Sequence, residues 1–152
     1  MKRAAITGHT SGLGASFYQL LGEHGYEVHG FSRSNGFDLR DYCQVSRVLE
    51  QVKGFDLFIN NAKPDYTQSQ IVYRLARGWS GTLLSIGSYA VIDTPPWTDT
   101  FLLEYLTQKT ALVHAHQVLT PISKCRLLLV HPRHLDNDTD PYVKQLIQQL
   151  GL

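Results

Sequence analysis

The sequence has little excess charge and few cysteines. Its 14 lysines and arginines nearly balance 13 aspartates and glutamates, which gives a formal net charge of +1. Nucleic-acid binding that is driven by counterion release requires a large positive excess, so we expect no nucleic-acid partner. The two cysteines, Cys43 and Cys125, form no CxxC pair. Their number and spacing favour a reduced, cytoplasmic protein without a disulfide framework.

Long apolar runs are also lacking. No stretch approaches the roughly 18 apolar residues of a membrane span, and only a short apolar stretch separates Arg3 from Gly8, so we expect neither a membrane segment nor a signal peptide. The 152 residues, 43% of them hydrophobic, suit a single domain over residues 1–152. That length excludes a (β/α)8 barrel of about 200 to 250 residues and separate cofactor and substrate domains.

Short apolar runs bounded by Gly, Asn or Asp alternate with longer stretches of helical periodicity. This pattern is typical of a parallel sheet covered by helices on both faces. We predict strands at residues 3–7, 26–33, 37–39, 55–62, 81–86 and 126–130. Helices are predicted at residues 12–23, 65–77, 99–119 and 142–150, and another runs from its cap at Asp41 to Val52, while Asp140 caps the last helix. The expected fold is a three-layer, doubly wound α/β sheet of about six strands.

A glycine-rich turn follows the first strand directly and opens the first helix. Its sequence is Thr7-Gly8-His9-Thr10-Ser11-Gly12-Leu13-Gly14. Glycines there let the backbone approach a pyrophosphate, which the free N–H groups and positive dipole of a helix N-terminus stabilise. No Lys-Ser or Lys-Thr follows, so the turn is no NTPase P-loop, although an ordinary turn and helix cap would explain the glycines as well.

Later motifs give this turn its context. The chain resembles the short-chain dehydrogenase/reductase family, which has Thr-Gly-x-x-x-Gly-x-Gly, then Asn-Asn-Ala-Gly after the fourth strand, a serine ending the fifth, and Tyr-x-x-x-Lys in the next helix. Here the same order gives Asn60-Asn61-Ala62, Ser88, and Tyr105 with Lys109. The resemblance covers residues 3 to about 132. It implies a Rossmann-like fold and an oxidoreductase that interconverts a small-molecule carbonyl and alcohol with a nicotinamide cofactor.

Tyr105 and Lys109 lie four residues apart, on one face of a predicted helix. A phenol is a poor acid at neutral pH, and a nearby ammonium favours its ionised form. By resemblance, Tyr105 exchanges the proton, Lys109 also holds the nicotinamide ribose, and Ser88 binds the substrate oxygen. An isolated Tyr/Lys pair is usually surface decoration. Ser85, inside the apolar run, is expected to be buried with a backbone partner.

The end of the second strand indicates which cofactor is preferred. Sites for NAD place an acid there, whereas a 2′-phosphate favours a cation. The chain has Ser32-Arg33-Ser34 instead of an acid, so we predict NADP(H) over NAD(H). Asp38, followed by Leu39, resembles the family's contact to the adenine amino group. Arg33 could instead be merely solvated, and Asp38 merely a helix cap. By resemblance, the cofactor-binding set comprises Gly8, Thr10, Ser11, Gly12, Leu13, Gly14, Ser32, Arg33, Ser34, Asp38, Leu39, Asn60, Asn61, Ala62, Tyr105 and Lys109.

The chain also departs from the family pattern. Residues 65–80 contain no asparagine to serve as the family's fourth catalytic residue, for which Gln68 or Gln70 would have to substitute. Lys63 and Arg133 stand where the family has glycine. The seventh strand, one or two helices and most of the substrate loop have no counterpart, so we expect an open site. These losses favour one alternative: a nucleotide-binding sensor or interaction module of the same fold without productive catalysis.

Other ligands and partners follow less directly. Asp136, Asp138 and Asp140 imitate a calcium loop, but Pro141 and Ile147 occupy its required glycine and glutamate positions. The histidines form no metal cluster, so no metal is expected, although His131 or His134 could border the substrate with Tyr89 and Trp97. In the family, the helices after strands four and five form a dimer interface. We therefore expect a homodimer or homotetramer, with Leu102 and Val113 facing outward.

Overall fold

The computed structural model describes residues 1–96, 99–133, 135 and 137–152. The strands are β1 (Arg3–Thr7), β2 (Glu27–Phe31), β3 (Leu57–Asn60), β4 (Thr82–Ile86) and β5 (Arg126–Val130). The α-helices are α1 (Gly12–Glu23), α2 (Tyr42–Val52), α3 (Thr67–Leu75), α4 (Thr100–Leu119) and α5 (Asp140–Leu150). Trp97, His134 and Asp136, which entered the predictions above, lie outside the described residues.

All strand pairs in the sheet are parallel, in the order β2-β1-β3-β4-β5. The order changes direction at β1, where Ala5 pairs with His29 of β2 on one side and with Phe58 of β3 on the other. The carboxyl ends of parallel strands meet at one edge, and a change of direction opens a crevice there. The fold therefore places the ligand site beyond the ends of β1 and β3.

Helices cover both faces of the sheet. The side chains of β1 alternate, so that Ala5 faces one core and its neighbours Ala4 and Ile6 face the other. The first core packs against α2, α3 and α4, and the second against α1 and α5. The predicted three-layer, doubly wound α/β fold is confirmed.

The segment 37–39, which we predicted as a short strand, is not one. The structure has five strands within its described residues, rather than about six. After β2 the chain makes a 3₁₀ turn at Arg33–Asn35 and turns again at Gly36, whose φ is +92°. The apolar side chain of Phe37 is explained by packing and not by strand pairing, since its ring packs edge-on against Phe31 with centroids 4.9 Å apart.

Two helix starts show how local signals combine with tertiary contacts. Asp41 caps α2 as predicted, since its carboxylate accepts from the Cys43 amide at 2.8 Å. The cap of α5 is Thr139 and not Asp140 as predicted. The Asp140 carboxylate accepts a hydrogen bond from the Ser16 hydroxyl of α1. A side chain that could have capped its own helix therefore ties two helices together.

Several remaining expectations concern surfaces. No helix in the described part of the chain has the length and hydropathy needed to cross a bilayer. Cys43 is exposed, Cys125 is buried, and both are free thiols. Leu102 and Val113 on α4 are half-buried rather than fully outward-facing.

Candidate active site

The turn between β1 and α1 requires its glycines for different reasons. Gly8 and Gly12 have φ values of +69° and +53°, in the left-handed region that favours glycine. A Cβ on Gly14 would overlap the carbonyl oxygen of Gly8, whereas a Cβ on Gly12 would meet open space. The Ser11 side chain makes no capping hydrogen bond to α1. The first amides of α1 therefore remain available to an anionic ligand.

Thr7 and Asn61 fasten this turn to the neighbouring strand. The Thr7 hydroxyl accepts from the amides of Asn61 and Ala62, both at 3.1 Å. The Asn61 side-chain amide donates to the carbonyls of Thr7 and Gly8, both at 3.2 Å. The ends of β1 and β3 are thus fixed together under the glycine turn.

Asn60 and Ser85 lie beneath the site. Both are fully buried, and the Asn60 amide donates to Ser85 Oγ at 3.1 Å and to the Gln68 carbonyl at 3.0 Å. Ser85 was expected to be buried, and it is, but the partner seen here is a side chain and not the backbone. Asn60, which the family motif suggested for cofactor binding, lies outside the cavity linings and supports the packing between β3, β4 and α3.

Two cavities of about 750 and 570 Å³ form one groove, because both are lined by Gly8, Ala62 and Lys63. Every residue of the predicted cofactor-binding and catalytic sets lines this groove except Gly14 and Asn60. The larger cavity is lined by Ser11, Gly12, Leu13, Asn61, Ser88, Tyr105 and Lys109. The smaller one is lined by Thr10, Ser32, Arg33, Ser34, Asp38 and Leu39. A groove with open helix amides near its middle and a cation at one end fits an extended dinucleotide.

The larger cavity contains the predicted catalytic group. Lys109 is 3% exposed, and its ammonium donates to Gln68 Oε1 at 2.7 Å and to the Ile86 carbonyl at 2.8 Å. Its Nζ lies 5.7 Å from the centroid of the Tyr105 ring. Ser88 begins a short 3₁₀ turn, where its Oγ accepts from the Ala90 amide at 3.3 Å. The side chains of β4, α4 and the loop after β4 thus converge on one space.

The surroundings of Lys109 disfavour its positive charge. Burial, together with the smaller effect of the positive charge of Lys63, lowers the pKa of its ammonium from 10.5 to about 7. Lys63 Nζ lies 4.8 Å from the centroid of the Tyr105 ring. Two cations therefore flank one phenol, and the more buried of the two changes its protonation near neutral pH.

The smaller cavity carries two arginines. Arg33 was predicted there, and Arg40 lines the same space. Within the described ranges, neither guanidinium has a carboxylate within 4 Å. Asp38 Oδ1 accepts from the Arg40 amide at 3.0 Å, so it stabilises its own turn while also lining the cavity. This end of the groove offers unpaired positive charge.

Solved structures of other proteins share this architecture. An alcohol dehydrogenase from the archaeon Thermococcus sibiricus, complexed with 5-hydroxy-NADP, superposes with a TM-score of 0.77 at 14% identity, over 100% of this chain and 91% of that chain. A 3-alpha-hydroxysteroid dehydrogenase from Pseudomonas sp. B-0831, complexed with NADH, gives 0.67 at 20% identity, over 89% and 73%. The chain has the fold of the short-chain dehydrogenases/reductases. The fold that the sequence motifs implied is confirmed.

A third structure supports the same conclusion about the fold. A short-chain dehydrogenase from Burkholderia cenocepacia J2315, in complex with NADP, has a TM-score of 0.69 at 20% identity, over 94% of this chain and 78% of that chain. No family model matches the sequence, and no curated protein matches it. At these identities the likeness extends to the fold alone.

Within this short-chain dehydrogenase/reductase fold, two groove residues were noted in the sequence only as departures from the family motif. Lys63 lines both cavities, and Arg133 lines the larger one. The Arg133 guanidinium donates to the Tyr89 hydroxyl at 3.1 Å and lies 4.3 Å from its ring centroid. Each stands where the family has glycine, and that exchange was the available signal. Arg40 carried no such signal.

His131 lies beside the backbone of Ser88. His131 Nδ1 lies 3.2 Å from the Ser88 carbonyl oxygen, and His131 does not line the larger cavity. Its contact is therefore with the backbone that carries Ser88. Among the residues that the structure describes, no group of three or more His, Cys, Asp and Glu side chains is placed to hold a metal ion.

Proposed function

We propose that the chain belongs to the short-chain dehydrogenase/reductase family and is an NADP(H)-dependent oxidoreductase that interconverts a carbonyl and an alcohol on a small molecule. The observation that carries the proposal is the convergence of Ser88, Tyr105 and Lys109 on one cavity of the groove that the glycine turn opens. A surface pair at this helical spacing would have no reason to share a cavity with a serine from another element. Proteins of the same fold have been crystallised with NADH and with NADP.

Each of the three side chains has a distinct role. When bound, a nicotinamide cofactor supplies or accepts a hydride. Tyr105 exchanges a proton with the substrate oxygen, and Ser88 donates a hydrogen bond to that oxygen and so orients the reacting carbon. Lys109 has three N–H donors, of which Gln68 and Ile86 accept two. The third is left to hold a ribose hydroxyl.

Replacing Tyr105 with phenylalanine tests the catalytic role. The Tyr105→Phe variant should lose about 10²–10⁴-fold in turnover, since it removes the proton exchange, and should bind NADPH as wild type does. NADPH absorbance with a panel of ketones and aldehydes measures turnover, and NADPH fluorescence measures binding. Tyr42→Phe, an exposed change on α2, is the matched control.

Undiminished turnover in Tyr105→Phe would refute the assignment. A wild-type protein that binds NADPH but oxidises it with no carbonyl would support the alternative, a nucleotide-binding module. The two results separate because binding is measured independently of turnover.

The preference for NADP(H) rests on the unpaired arginines of the smaller cavity. Arg33→Ala should weaken NADPH binding about tenfold to a hundredfold and NADH binding little, because only NADPH offers a 2′-phosphate to the guanidinium. Arg77→Ala, an exposed change in the turn that follows α3, should alter neither affinity. Equal losses for both cofactors in Arg33→Ala would contradict the 2′-phosphate role.

The proposed assembly is a homodimer or homotetramer through the face of α3 and α4. A cavity of about 480 Å³ lies between these helices, and the exposed apolar side chains of Tyr73 and Val118 line it. Val118→Glu should shift the protein to monomers in light scattering, whereas Ile92→Glu, on another exposed surface, should not. A wild-type protein that is monomeric at micromolar concentration would contradict this part of the proposal.

A further inference from the structure

Gln68 is a buried amide whose hydrogen-bonding groups are nearly all used. It lies in the first turn of α3 and is 5% exposed. Its Nε2 donates to the Asn60 carbonyl at 2.8 Å and to the Ile86 carbonyl at 2.9 Å, and its Oε1 accepts from Lys109 Nζ at 2.7 Å. A primary amide has two N–H donors and one carbonyl oxygen, so the side chain cannot rotate without losing several bonds at once.

These partners also fix which way the amide faces. In the opposite orientation, Oε1 would face the carbonyl oxygens of Asn60 and Ile86, and the NH₂ group would face the Lys109 ammonium. Both contacts would be repulsive, because each pairs an acceptor with an acceptor or a donor with a donor. The amide oxygen of Gln68 is therefore directed at Lys109 by the surrounding network.

The helix that carries Gln68 is itself held in place. The Asn60 amide donates to the Gln68 main-chain carbonyl at 3.0 Å, so α3 begins under direct contact with the end of β3. Through its own side chain, Gln68 spans from the end of β3 to the end of β4. It thus links the two strands whose ends lie beside the larger cavity.

Lys109 depends on neutral oxygens. In the described part of the chain, no carboxylate lies within 4 Å of its Nζ, and Lys63, whose charge acts on it, has the same sign. Among the residues that the structure describes, Gln68 Oε1 and the Ile86 carbonyl are its two acceptors. A buried ammonium requires such partners, since burial disfavours the charged form.

We propose that Gln68 is a positioning residue that holds the Lys109 ammonium against the end of β4 and beside Tyr105. Gln68 does not line the groove and acts through Lys109. The functional importance of this role rests on the proposed function of Lys109. Gln70, the other glutamine that the sequence offered, lines the cavity between α3 and α4 instead.

The proposal predicts how Lys109 titrates in the ligand-free protein. Replacing the amide by an apolar side chain of similar length, in Gln68→Met, removes an acceptor from the charged form. The midpoint of Lys109 titration should then fall by about one pH unit or more. A loss of packing alone would not lower this midpoint, because water that entered the gap would favour the ammonium over the amine.

The experiment is an NMR titration of protein labelled with ¹³C at lysine Cε, without cofactor. The Lys109 signal is identified by its absence in Lys109→Met. The midpoint should fall in Gln68→Met and stay at its wild-type position in the matched control Gln70→Met. An unchanged midpoint in folded Gln68→Met would overturn the proposal.

A second variant covers the case in which Gln68→Met does not fold. Gln68→Glu places a carboxylate against the ammonium, so the Lys109 midpoint should rise by about one pH unit or more. A midpoint equal to that of wild type would overturn the proposal.

NADPH titrations of the same variants separate this inference from the proposed function. Gln68→Met should weaken NADPH binding in the wild-type background and have no further effect in Lys109→Met. A shifted Lys109 midpoint with unchanged NADPH affinity would support the positioning role of Gln68 and contradict the cofactor role proposed for Lys109.

Discussion

The two halves of the larger cavity are built from different atoms. On one side, the glycine turn offers backbone amides, and Ser11 leaves them uncapped. On the other, Ser88, Tyr105 and Lys109 offer side chains, held by partners from β4 and α3. A site made of backbone depends on conformation and tolerates only residues that can adopt it. A site made of side chains depends on tertiary neighbours, so its function should be separable from the stability of the fold.

The largest expected effect is on the backbone side. Gly14→Ala places a methyl group on the Gly8 carbonyl oxygen, which belongs to the backbone and cannot move aside easily. We expect a loss of about 3 kcal/mol or more in the free energy of unfolding, measured in urea. Gly22→Ala, in the same helix with open space around the new Cβ, should gain about 0.5–1 kcal/mol. A Gly14→Ala protein as stable as wild type would remove the steric basis of the comparison.

The hydrogen bonds that Thr7 makes beneath the glycine turn should give the next largest effect on stability. Thr7→Val keeps the shape of the buried side chain but leaves the amides of Asn61 and Ala62 without their acceptor. We expect a loss of about 2 kcal/mol in urea unfolding. The matched control is Thr107→Val, whose hydroxyl bonds only within an exposed turn of α4, and it should change stability by less than about 0.5 kcal/mol. Similar losses of stability in both variants would show that the hydrogen bonds accepted by the Thr7 hydroxyl contribute nothing specific.

On the side-chain half, the expected effect depends on pH. The pKa of Lys109 is about 7 in the folded protein, below its ordinary 10.5, so between these values the unfolded chain binds the additional proton. Stability contributed by this group therefore rises with pH through that window. The free energy of unfolding of wild type should rise relative to that of Lys109→Met by up to about 1.4 kcal/mol per pH unit between about pH 7 and 9.

Urea unfolding over that range measures this difference. Lys144→Met, which removes an exposed lysine from α5, should run parallel to wild type. A constant difference between wild type and Lys109→Met at every pH would mean that burial does not shift the pKa of Lys109.

The smallest effect is expected at the rim of the larger cavity. Arg133 is exposed, and its contacts are with the Tyr89 ring and hydroxyl. Arg133→Gln should change the free energy of unfolding by less than about 0.5 kcal/mol, as for other exposed polar contacts. Thermal unfolding beside Arg77→Gln provides the check. A loss above about 1 kcal/mol would mean that Arg133 stabilises the fold and does not merely line the rim of the larger cavity.

Much of the fold could be predicted because its signals are local. Asp41 before the buried stripe of α2 specified a helix with its cap, and the short apolar runs specified parallel strands. The prediction was wrong where a residue serves a distant partner. Phe37 looks like strand sequence but packs on Phe31, and Asp140 looks like a cap but bonds to Ser16. Neither partner can be inferred from spacing along the chain.

The candidate site shows the same division. Glycine spacing and the Tyr105–Lys109 interval indicated residues that the structure brings to one groove. Asn60 was included with its motif, although its side chain is fully buried. The sequence offers two glutamines in place of the asparagine, Gln68 and Gln70, and nothing in it says which one faces Lys109. That choice is made by the packing of α3 on the ends of β3 and β4.

Lys63 has a consequence for ligand exchange. It is a cation that lines both cavities where they meet, and its charge acts on Lys109 in the larger one. An anion that binds beside Lys63 would cancel this repulsion, so Lys109 would take up a proton from the solvent. Capture would therefore be accompanied by proton uptake, and the heat of binding in calorimetry would vary with the ionisation enthalpy of the buffer. The occupancy of the groove would then follow the acidity of its surroundings as well as the supply of ligand.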